Sequence, residues 1–333
     1  MNTTKEKTPA AEKQGGKRTL QSLRALAGTY ASVFALIAIV VVFLIINPSF
    51  LNRFNTKNLL TNMAPLLVMA CGATYVRLLG SLDLSMGAVC SCANVMLIRL
   101  FPSLGAGAYV VAILFGMLTG VILGLIHTKL KIPSFIASLG MMNVYNSVAL
   151  LITPMPMTIP AEYRSLINWG KTSFGVINMM TIVSVLIMVI AYFVQKKSVL
   201  GKSLSLIGAN ERAARISGIR VDRTKIFAFT VCGAGSALAG VLLAIKLQSS
   251  APTVGSPFTL LAVAAVLLGG TSMTGGKGSV LMTLTGVMMV TVIENGMTII
   301  GVDAFWSQIV FGGLIIVAMA LTSDRSTKNL MVK

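Results

Sequence analysis

The chain has 333 residues, 55% of them hydrophobic and only 11% charged, with a mean hydropathy of +0.86. Soluble domains carry charge on about 25% of positions, so this chain cannot cover a water-facing surface and its natural solvent is lipid. The net charge of +18 does not mark a nucleic-acid binder, because the basic residues lie between apolar spans and not on one face of a soluble domain.

Along the chain, residues 1–26 read as a basic cytoplasmic tail with Lys5, Lys7, Lys13, Lys17, Arg18 and Arg24. Residues 27–325 read as a single all-α integral membrane domain, and 326–333 as a second cytoplasmic tail. Apolar runs at 30–46, 58–79, 83–100, 106–128, 133–152, 176–195, 224–246, 258–272, 279–300 and 305–322 predict about ten transmembrane helices. The run at 258–272 is short and ends in glycines, which predicts a short or broken helix.

Alternating these spans from a cytoplasmic N-terminus leaves Arg53, Lys57, Arg99, Arg164, Lys171 and Lys246 outside. The other 21 of the 27 basic residues fall inside. That asymmetry favours both termini in the cytoplasm. The outside segment 153–175 holds Pro154, Pro156 and Pro160, a density that excludes a spanning helix. The inside segment 196–223 is the longest cytoplasmic loop. Cys71, Cys90, Cys92 and Cys232 all lie in apolar runs and the lone histidine is His127, so the residues point to no metal site and no disulfide framework.

Three stretches carry chemistry. In the inside loop, Gly208, Ala209 and Asn210 precede Glu211, Ala213, Ala214, Arg215 and Ile216, and Gly218 follows. Asn210 can cap a short helix, Glu211 suits its first turn, and Gly218 can stop it. Ala213, Ala214 and Ile216 would form a small apolar face. Two readings fit: a helix that docks into a cytoplasmic partner, or an amphipathic helix on the lipid surface.

The second stretch holds Gly269, Gly270, Gly275, Gly276 and Gly278, a glycine-rich turn after the short span. It is no phosphate loop: Thr271 stands where the first glycine of GxxxxGK[ST] belongs, and Gly278 follows Lys277. This chain is therefore expected to bind no ATP itself.

The third is Gly80, Ser81, Leu82, Asp83, Leu84 and Ser85. Asp83 either caps a helix start with the help of Ser85, or is an intramembrane carboxylate with a role in transport. Asn143, Asn146, Glu294 and Asn295 lie inside apolar spans, where polar groups must find partners. They either bond between helices or line a path for a hydroxylated solute. No catalytic set of residues is present in the motifs.

At these stretches the chain resembles the permease subunits of ribose-type bacterial ABC sugar importers, from about residue 30 to 322. That family carries a Gly-Ile-Asp-Leu-Ser motif, read here at 80–85, and a Pro-Phe-Ile start to its fifth span, read here from Ile132 to Ile136. The pattern Gly208 to Ile219 and the run Ala264, Ala265, Gly269 to Ser272 and Gly275 to Ser279 match as well. Ser81 and Leu82 depart from the motif, and Arg77 interrupts a normally apolar approach to it.

The resemblance implies a transport subunit of the bacterial inner membrane that carries a monosaccharide or sugar-like solute and catalyses no reaction. It implies a second permease subunit, an extracytoplasmic sugar-binding protein, and a cytoplasmic ATPase that holds the ATP and magnesium. It makes 208–219 the coupling element. The same broad fold also serves nucleosides and branched-chain amino acids. An ion-coupled secondary transporter would need paired intramembrane carboxylates and repeated broken helices, whereas this sequence offers isolated acids and one broken span.

Overall fold

The computed structural model describes residues 32–303, 306, 309–313 and 316. Seven of its helices are long and apolar enough to cross a membrane. They are α2 (Arg53–Leu78), α3 (Met86–Leu104), α4 (Gly107–Lys129), α5 (Ser134–Ile152), α7 (Met179–Lys197), α10 (Val221–Leu247) and α12 (Val280–Ile299). Shorter apolar helices are α1 (Ser32–Ile46), α8 (Val199–Ala209) and α11 (Ser256–Leu268), and one-turn α6 (Arg164–Ile167) lies in the 153–175 segment.

The expected span at 258–272 is thus a 13-residue helix, about 20 Å long and too short to cross on its own. By length and composition seven described helices qualify as spans, not about ten. The expected span at 305–322 falls largely outside the described residues.

α2 and α10 form the centre. α10 packs against α4, α2 and α3, and α2 also meets α7, α11 and α12. Between lipid-soluble helices there is no hydrophobic drive, so close approach must come from small residues. A side chain on Gly120 of α4 would fall 2.7 Å from Thr230 Cα of α10, and one on Gly72 of α2 would fall 2.9 Å from Cys232 Cα. All four cysteines are buried in this packing.

One end of the bundle is built from short extended pieces. β1 (Met157–Thr158) pairs antiparallel with β4 (Ser249–Ser250), tying the 153–175 segment to the exit of α10. β2 (Ser173–Phe174) and β3 (Ile177–Asn178) form a small hairpin beside it. Asn178 then caps α7, accepting from the Thr181 amide at 2.8 Å, and donates to Thr61 Oγ1 of α2 at 2.6 Å. Lys57 Nζ donates to Ser173 Oγ at 3.0 Å.

The opposite end holds the ends of α2 and α7, the start of α10, the turn at 269–279, α8 and α9 (Glu211–Ile216). The expected long loop at 196–223 is therefore mostly helix. Ser198 caps α8 through the Gly201 amide at 2.9 Å.

Candidate coupling and transport site

α9 is defined at both ends. Asn210 leaves the helical region at φ −160°, ψ 101°, and its side chain accepts from the Ala213 amide at 3.0 Å. At the other end Gly218 takes a φ of +81°, Ile219 N donates to Ala214 O and Gly218 N to Arg215 O, both at 3.1 Å. Those two bonds make a Schellman stop, which needs a residue able to adopt the left-handed conformation at that position.

An ion network fastens α9 to the bundle. Glu211 accepts from Lys225 of α10 at 2.8 Å and from Arg215 at 3.3 Å, and Arg215 also reaches Asp222 at 3.5 Å. Asp222 in turn faces Lys129 of α4 at 3.8 Å. Partial burial opposes ionisation of Glu211, but the Lys225 and Arg215 cations outweigh it and hold the carboxyl below its ordinary range.

The expected apolar face of α9 is split. Ala214 is buried, whereas Ala213 and Ile216 are exposed, Ile216 at 81%. At 100° per residue Ala213 and Ile216 stand 60° apart, and Ala214 stands 100° and 160° from them. The free face is thus Arg212, Ala213, Ile216 and Ser217, and Ala214 belongs to the subunit's own packing.

Just before α9, Gly208 and Ala209 end α8 against two other segments. A side chain on Gly208 would collide with Leu78 O and with Gly276 N. Gly276 N itself donates to Leu78 O at 2.9 Å. In the glycine-rich turn, Gly270, Gly275 and Gly276 have φ of +83°, +86° and +76°, while Gly269 is helical and a side chain on it would fall 2.5 Å from Met282 O of α12. Gly278 O accepts from Gln195 Nε2 at 3.0 Å, and Gln195 Oε1 accepts from Val280 N at 2.8 Å. Gln195 at the end of α7 thus clamps the exit of the turn.

The segment 81–85 has no regular secondary structure and leads into α3. Gly80 reverses the chain at φ +76°. Asp83 is buried and approaches the Cys232 thiol of α10. Cys232 lies level with Gly72, six residues and about 9 Å back from the end of α2. Non-helical backbone at such depth is tolerated only where protein covers it. Leu82 N donates to Ser134 Oγ of α5 at 3.2 Å. Asp83 Oδ1 accepts from Ser85 N at 2.8 Å and Ser85 Oγ at 2.6 Å. Asp83 therefore fixes the turn before α3 and is not its cap; Ser85 holds the cap position, without a side-chain bond.

The six pathway candidates occupy different settings. Asp83 and Ser85 meet in this elbow. Asn143 is exposed and Asn146 half-buried on α5, and Glu294 is exposed on α12. Asn295 is buried and exchanges two amide bonds with Asn55, at 2.8 and 2.9 Å, joining α12 to the start of α2. Sequence reasoning missed Asn55 and Gln195. Their only signal was an amide at the margin of an apolar run.

The comparisons agree with this architecture. Residues 55–319 match the family described as branched-chain amino acid transport system / permease component. The ribose import permease protein of Bacillus subtilis (strain 168) is 37% identical over 304 residues, covering 90% of this chain and 93% of that protein. The ribose import permease protein of Escherichia coli (strain K12) is 30% identical, covering 88% and 93%. The galactose/methyl galactoside import permease protein of Haemophilus influenzae is 30% identical, covering 90% and 95%. No solved structure matches the chain. The chain belongs to this permease family and is a ribose-type ABC permease.

Proposed function

We propose that this chain forms the pathway of an ATP-driven importer for a monosaccharide or sugar-like solute in the bacterial inner membrane, with both termini and α8–α9 cytoplasmic. The observation that carries this reading is the similarity, over nine-tenths of the chain, to permeases named for ribose and galactose import. A capped, stopped and ion-paired helix at one end of the bundle supports an energy input from a cytoplasmic ATPase that holds ATP and magnesium. The outward segment 153–175 would receive an extracytoplasmic sugar-binding protein, and a second permease subunit would complete the pathway. Coupling falls to Gly208, Ala209, Asn210, Glu211, Ala213, Ala214, Arg215 and Gly218. Asn143, Asn146 and Glu294 are proposed to face the solute. Asn295 is assigned a joining role with Asn55 in its place.

The test is reconstitution with the ATPase and the binding protein in proteoliposomes. ATP-dependent uptake of labelled ribose or galactose is expected, and none without the ATPase. Uptake by this chain alone under an ion gradient would contradict the reading.

A further inference from the structure

Three motifs that are remote in sequence meet at one point. The end of α8, the end of α2 and the glycine-rich turn touch backbone to backbone, with only the Ala209 methyl beside Gly276. A side chain on Gly208 would strike Leu78 O and Gly276 N, one on Gly80 would sit 2.6 Å from Thr274 O, and one on Gly275 would sit 2.8 Å from Gly80 Cα. One on Gly276 would sit 3.0 Å from Ala209 N. The Gly276–Leu78 hydrogen bond closes the contact.

Such a contact is stiff. Side chains absorb a displacement by changing rotamer, but backbone against backbone has no rotamer to change. A shift of α9 pulls on Ala209 and Gly208, and must therefore move Leu78, the turn, or both. Leu78 leads directly into the elbow at 81–85, and the turn leads back into α11.

These two elements wall a small cavity lined by Arg77, Ser81, Asp83, Val263 and Val266. Its free space is about 10 Å³, the size of one water molecule. Arg77 is 7% exposed there, and its Nε and Nη2 have no hydrogen-bond partner. A buried guanidinium with unused donors, beside a carboxylate on the elbow, can re-pair when the elbow shifts.

We infer that this three-way glycine contact is the joint that carries motion of α9 to the elbow at Asp83 and to α11. Gly208, Gly80 and Gly276 are its positioning residues. The inference rests on the proposed function, since it needs an ATPase at α9.

The experiment uses the assembled transporter with the native cysteines of this chain replaced and Leu82→Cys introduced. Labelling of that thiol is timed in the nucleotide-free state and in the ATP-vanadate-trapped state. The labelling rate is expected to differ at least tenfold between the two. In Gly208→Ala the difference is expected to fall below threefold, with ATPase binding retained and stimulation of ATP hydrolysis by the binding protein lost. Gly140→Ala, whose added methyl meets nothing within 4 Å, is expected to keep the full difference. Should Gly208→Ala not assemble, Ala209→Val at the exposed rim of the contact replaces it, with the difference at least halved.

An unchanged difference in the joint variant, or none in the parent, overturns the joint. Failure of the parent chain to bind any ATPase overturns the proposed function instead.

Discussion

The two ends of this molecule are held by different means. The end that carries the 153–175 segment is tied by two short strand pairs and by side chains: Asn178 to Thr61, Lys57 to Ser173, and the Asn55–Asn295 amide pair just inside it. The opposite end, proposed to couple to the ATPase, is closed by backbone contacts at Gly208, Gly80, Gly275 and Gly276, with an ion network over it. Side-chain ties can yield singly. Glycine contacts move together or break. In the proposed orientation, the difference suits an outward face that admits a solute and an inward face that passes on a displacement.

The sharpest way to break the comparison is at the glycine end. Gly275 holds φ +86°, and an added Cβ would lie 2.9 Å from Leu78 O. Gly275→Val is expected to cost about 3 kcal/mol or more, from the left-handed conformation and overpacking together. The check is loss of folded chain on thermal challenge in detergent; unchanged stability would mean that the contact is loose.

Next is the free face of α9. Ile216→Asp removes an exposed apolar side chain on the face of α9 that the subunit's own packing leaves free for an ATPase. A central interface residue is worth about 2 kcal/mol, or about 30-fold in affinity. ATPase binding is expected to weaken by that factor while the isolated chain melts as before. Ala214→Trp is expected to behave oppositely, harming the fold itself because Ala214 is 4% exposed.

At the end with the 153–175 segment, Asn55→Leu leaves the buried Asn295 amide without its partner, and Asn295→Leu leaves Asn55 Oδ1 unpaired while Asn55 Nδ2 keeps Phe50 O at 2.7 Å, each at a cost of about 1–2 kcal/mol. The double leucine variant is expected to recover part of that loss. Strict additivity of the two single losses in thermal melts would show that the pair is not coupled.

The smallest effect concerns pH. The folded pKa of Glu211 lies below its ordinary 4.5, so its ion pairs contribute above that value and are lost as pH falls through the folded pKa. The exposed pair with Arg215 is worth only about 0.3–0.5 kcal/mol. A spin label at Arg212→Cys is expected to keep its mobility from neutral pH to about 4.5 and to loosen below it; Glu211→Gln should show the loosened signal at neutral pH.

Much of this was legible in the sequence, because lipid imposes long apolar runs and the caps of α9 use side chains with one obvious role. Asn210 and Gly218 were read as the cap and stop of a short helix, and α9 falls at Glu211–Ile216 between them. α8 was missed because Gly201 and Gly208 weaken helix propensity, and tertiary packing against α2 and α7 supplies what propensity does not. The partners of the glycines were illegible for a plainer reason. A glycine in a sequence announces room for a neighbour without saying which neighbour. The face of α9 was misjudged because Ala213 and Ala214 are chemically alike, and only the three-dimensional position of the helix decides which one turns inward.

The most direct measurement is site-specific photo-crosslinking in the assembled, ATP-hydrolysing transporter, with the crosslinker at Ala213 on α9 or at Glu162 on the outward segment. The account expects Ala213 to capture the ATPase, and Glu162 to capture the sugar-binding protein and never the ATPase. Capture of the ATPase from Glu162, or its absence from Ala213 in a complex that hydrolyses ATP, would contradict it.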